Sequence, residues 1–132
     1  MNVPLLIANI LVFAGFFIHV IMGDKEMNMI EPLHGAKDYL KKQEIWTMAR
    51  GAFHIIGADV FCLNILLTVI IFTDYISNEK FVLSMVSIFL LLRALVFGFV
   101  ILVSKPFHNR FLKLPQSFLF ILLAGLIYWG SM

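Results

Sequence analysis

The chain has 132 residues, room for a single domain. Hydrophobic residues make up 61% and charged residues 14%, against roughly 45–50% and about 25% in soluble domains, so a water-soluble core is excluded and the bilayer has to act as solvent. The net charge of +2 is spread in short segments between apolar blocks, which excludes the clustered cationic face that nucleic-acid binding needs.

The first apolar block covers residues 3–22. No Lys or Arg precedes Lys25, the block exceeds a signal-peptide core, and no small-x-small cleavage site follows, so it reads as a retained span. A hydrocarbon core of about 30 Å takes about 20 helical residues, and residues 47–72, 81–103 and 114–130 supply three more blocks. Gly23-Asp24 is expected to end the first span. Pro32 and Gly35 break the following loop, and residues 36–44 resume as a charged helix leading into the second span. The polar connection 74–80 turns the chain back, Lys105-Pro106 ends the third span, and Pro115 suits the first turn of the fourth. Lipid gives backbone groups no partners, and blocks this long are not barrel strands. The expected fold is all-α, a transmembrane four-helix up-down bundle.

Lys25, Lys37, Lys41, Lys42, Arg50, Lys105, Arg110 and Lys113 fall on one side of these spans, and only Lys80 with the terminal amine on the other. The positive-inside bias then puts loops one and three in the cytoplasm and both termini on the outer side of the membrane. Trp46 on the inner side and Tyr128 and Trp129 on the outer fit interfacial aromatic belts.

Polar side chains within the spans carry the functional information, since a charge at mid-bilayer costs about 2.5–3.5 kcal/mol even on the mildest scale. They are Asn9, His19, His54, Asp59, Asn64, Ser84, Ser87 and Arg93. On span two, Arg50, His54, Gly57, Phe61, Asn64 and Thr68 follow spacings of 3 and 4 and define one stripe. Leu5, Ala8, Val12, Gly15, His19 and Met22 define another on span one. His19 and His54 then share a depth near the cytoplasmic boundary. Such a pair suits axial ligation of a b-type haem or binding of a transition metal, with Arg50 one turn nearer the cytoplasm for a propionate. The alternative is structural, each imidazole hydrogen-bonding a backbone carbonyl or a neighbouring side chain.

His34 and His108, with Met22, Met27, Met29 and Met48, also fall on the cytoplasmic side. Capture of Cu(I) by these soft ligands competes with a reading as ordinary loop residues and filler. Asp59 and Arg93 lie at equal depth on antiparallel spans, so an ion pair is expected, either fixing helix register or lining a proton or ion path. No Gly-rich phosphate loop, zinc-protease histidine pair or paired cysteines occur, which leaves no catalytic residue to name. Cys62 sits in an apolar span and reads as inert. Lys37, Lys41 and Lys42 beside Tyr39 and Leu40 read as an interfacial helix against anionic headgroups.

His19-x-x-x-Gly23, Glu31-Pro32-Leu33, Trp46 and Phe53-His54 resemble the motifs of a group of small uncharacterised bacterial four-span membrane proteins, with Phe53 where that group carries Trp. The resemblance covers about the first 60 residues. It implies an inner-membrane four-span protein and brings no activity with it. The acidic first span of small multidrug transporters and the Gly-rich, Arg-containing first span of fluoride channels are absent. Three readings of function follow: a haem- or metal-binding, electron-transfer-type protein using His19 and His54, an oligomeric transporter or channel using Asp59 and Arg93, and a non-catalytic accessory subunit. The partners expected are the lipid bilayer and either further copies of the chain or a larger membrane complex, and no nucleic acid.

Overall fold

The computed structural model describes residues 2–104 and 109–132, with Arg110 by its backbone alone. Among these residues all regular structure is helical: α1 (Val3–Ile18), a π-helical turn (His19–Gly23), α2 (Asp24–Met29), α3 (Tyr39–Phe72), α4 (Glu79–Val103), the short α5 (Arg110–Lys113) and α6 (Gln116–Ser131). Three helical stretches, Val3–Met29, Tyr39–Phe72 and Glu79–Val103, are long and apolar enough to cross a membrane, whereas Gln116–Ser131 is a shorter apolar helix. At 1.5 Å per residue α6 reaches only about 24 Å, short of the hydrocarbon thickness. Large apolar side chains such as Ile55, Phe89, Leu95 and Phe99 are exposed along the helices, the surface that a lipid environment requires.

Two expected boundaries move. Gly23-Asp24 does not end the first helix, because helical backbone continues through the π turn to Met29. The charged helix expected from residue 36 begins at Tyr39, after Gly35 and Asp38 take left-handed backbone conformations (φ 83° and 59°), and it runs unbroken to Phe72. Lys105, Pro106 and His108 lie outside the described residues, as does the side chain of Arg110.

The chain divides into two compact units. The first comprises the chain to Asn9 together with Leu67–Met132. Here α4 and α6 pack antiparallel, with the Ser87 hydroxyl donating to the Ala124 carbonyl at 2.9 Å and Lys80 Nζ to the Met132 carbonyl at 3.4 Å. Leu83, Ser87, Leu90, Ala94 and Ile101 are buried on α4, and Ser117, Leu123, Ala124 and Ile127 on α6. The α4 spacings of 4, 3, 4 and 7 make a heptad-like seam, and its small residues allow close helix approach. Asn2 Nδ2 donates to the Gly130 carbonyl at 2.6 Å, and Asn9 Nδ2 to Thr68 Oγ1 at 3.0 Å.

The second unit, Ile10–Leu66, is an antiparallel helical hairpin. Its register is marked by Phe16 against Phe61, His19 against Phe53, Asp24 against Arg50, and Met27 against Trp46.

Candidate functional site

Five polar residues of the second unit, His19, Asp24, Asn28, Arg50 and His54, lie where the π turn and α2 face α3. Residues five apart on an α-helix diverge by about 140°, so His19 and Asp24 would point to different faces. The π turn closes i→i+5, and both residues meet α3. Such single turns are frequent at functional sites, and no periodicity in the sequence marks this one.

Asp24 is the centre of the cluster. Its Oδ1 accepts from Arg50 Nη2 at 3.0 Å and lies 3.4 Å from His54 Nε2, while Oδ2 accepts from Asn28 Nδ2 at 3.3 Å. The Asp24 and Arg50 side chains are each about a third exposed (34% and 35%) and His54 about half, so protein encloses the site only in part. Arg50 also lies over the Trp46 ring, 5.1 Å from its centroid, a cation–π contact that holds its guanidinium in place.

His19 is engaged separately. Its Nε2 is 2.9 Å from the Phe53 carbonyl, and since a carbonyl only accepts, Nε2 carries the proton. The imidazole stacks on the Phe53 ring (centroids 3.8 Å, 18°), and the same ring meets His54 edge-on at 5.7 Å. Two glycines permit this. A Cβ on Gly57 would stand 3.3 Å from His19 Cδ2, and one on Gly23 would overlap Cζ of Phe53.

The three residues expected to hold a cofactor, His19, His54 and Arg50, therefore fall in one unit. Their polar atoms are directed at protein groups: His19 to a backbone carbonyl, and His54 and Arg50 to one carboxylate oxygen. This is the arrangement that the structural alternative describes. Among the described residues no group of three or more His, Cys, Asp or Glu is placed to hold a metal ion. His34 lies apart and exposed, its Nε2 3.3 Å from the Tyr39 hydroxyl. Met22, Met29 and Met48 are exposed.

Asp59 occupies an exposed position of α3 in the second unit, and Arg93 a half-buried position of α4 in the first. The Arg93 guanidinium lies 4.4 Å from the centroid of Phe89, one turn earlier on the same helix. Cys62 is exposed on α3.

Asp24, which the Gly23-Asp24 pair puts at a helix end in the sequence, is the residue that joins the cluster. The available signal was its charge, the one acidic residue between the first apolar block and Lys25, facing Arg50 and His54 in an antiparallel register. Phe53, in the sequence only a departure from a motif, touches both imidazoles. Comparison with protein-family models, curated proteins and solved structures finds no match to this chain.

Proposed function

We propose that the protein is a four-span bundle of the bacterial inner membrane, with both termini outside and the short α6 accommodated by local thinning of the bilayer, that serves as a non-catalytic accessory subunit of a membrane assembly formed with further copies of itself or with other membrane proteins. The observation that carries this reading is the occupation of Asp24, Arg50, His54 and His19 by one another and by backbone within a single hairpin. Side chains committed in this way fix the register of α1–α2 against α3, a role well attested for polar groups at membrane helix contacts.

An absorption spectrum and elemental analysis of the purified protein test the reading. A colourless, metal-free protein that migrates as a defined oligomer or complex is the expected result. A Soret band lost in both His19→Ala and His54→Ala would overturn it, as would proteoliposome flux abolished by Asp59→Asn.

The second reading is a haem- or metal-binding protein of the electron-transfer type. It is favoured by the meeting of His19, His54 and Arg50 in one unit, and it requires both imidazoles to exchange their protein partners for the ligand. His19 keeps the Nδ1 lone pair for that purpose in the tautomer its hydrogen bond selects.

A further inference from the structure

A cavity of about 310 Å³ opens in the second unit between the end of α2, the residues that follow it, and the first turns of α3. Ile30, Pro32, Ile45, Trp46 and Ala49 give it apolar walls, and Lys42 is its one charged lining residue. The Trp46 wall is fixed: the residue is buried (9% exposed), its indole N–H donates to the Met27 carbonyl at 2.9 Å, and Arg50 lies over its ring. Lys42 and its neighbour Lys41 are exposed. The 34 residues of α3 measure about 51 Å, well beyond a hydrocarbon core of about 30 Å, so its charged first turns reach past the acyl region into the headgroup layer.

We infer that this cavity is a binding site for an anionic phospholipid. The phosphate meets the Lys42 ammonium, and the glycerol backbone with the top of one acyl chain lies against Trp46, Ile45 and Ile30. The chemistry is complementary on both counts. An apolar recess carrying a single ammonium discriminates against a zwitterionic headgroup, whose own cation faces the lysine. The volume lies at the low end of small-molecule sites, about 300–1,000 Å³, and suits part of a lipid whose chains remain in the bilayer. Tryptophan and lysine at this level are the residues that recognise the interface and its anionic lipids. The inference rests on the chain spanning a bilayer and is independent of the accessory role proposed above.

The chain has two tryptophans, so the full-length Trp129→Phe protein reports on Trp46 alone. It is reconstituted in phosphatidylcholine nanodiscs containing increasing fractions of phosphatidylglycerol or phosphatidylcholine brominated near the top of the acyl chain. Quenching of Trp46 is expected to half-saturate at about a fivefold lower fraction of the brominated phosphatidylglycerol, the factor contributed by one lysine near an anionic surface. Lys42→Gln abolishes the difference, and Lys41→Gln retains it. Ala49→Leu, which fills the cavity without altering charge, reduces quenching by the anionic lipid. Equal quenching by the two lipids overturns the inference. So does a preference that survives Lys42→Gln, undiminished quenching in Ala49→Leu, or protection of Trp46 from both lipids, which would place a protein segment in the cavity.

Discussion

Gly23→Ala gives the sharpest test of how the hairpin is held together. The added methyl would overlap Cζ of Phe53 and stand 2.8 Å from its Cε2. The phenyl ring has little freedom to yield, since one face is stacked on His19 at 3.8 Å and its neighbourhood includes the edge contact with His54. Overpacking of this kind costs about 1–3 kcal/mol, while alanine gains about 1 kcal/mol over glycine in helix propensity. The net expectation is a loss of about 1 kcal/mol. In a Phe53→Ala background the obstruction is gone, the His19 bond to the residue-53 carbonyl remains, and only the propensity gain is left, so Gly23→Ala becomes neutral or stabilising. Reversible unfolding by SDS in mixed micelles, followed by circular dichroism, measures the four proteins of this cycle. The expected coupling is about 1–3 kcal/mol; single effects that add to within about 0.5 kcal/mol would refute the packing argument.

Three further outcomes are expected from the same assay. Asp24→Ala and Arg50→Ala should couple by about 0.2–1 kcal/mol, the range for ion pairs as exposed as this one, and strictly additive effects would remove Asp24 as the link between α2 and α3. Trp46→Phe, which deletes the donor to the Met27 carbonyl, should cost about 0.5–1.5 kcal/mol; an unchanged stability would show that the indole nitrogen contributes nothing to the α2–α3 contact. Ser87→Ala in the α4–α6 seam should cost only about 0.6 kcal/mol, because the Ala124 carbonyl lies within a helix, and a loss of several kcal/mol would contradict that accounting.

Much of the fold is legible in residue order. Of the stripe expected on span one, Leu5, Ala8 and Val12 are buried, Gly15 and His19 half-buried and Met22 exposed, and the long apolar blocks appear as helices because unpaired backbone groups have no partner in lipid. The stripe on span two is realised less cleanly: Gly57 is buried but Phe61 is exposed, since the side facing a neighbour need not differ in polarity from one facing acyl chains. The cluster was half legible. His19, His54 and Arg50 were marked by their cost in an apolar span, whereas Asp24 stood in a segment rich in charge, where one more carboxylate carries no penalty.

The sequence by itself determined that this chain is helical and suited to a membrane, because hydrophobic length is a property of residues taken in order. Only the tertiary structure decided which atoms the imidazoles and Arg50 engage. That choice turns on a π turn that rotates Asp24 onto the face of His19, and on two glycines that admit an aromatic ring and an imidazole against neighbouring backbone. Both depend on distances of a few ångströms between segments some 30 residues apart, which no local pattern encodes.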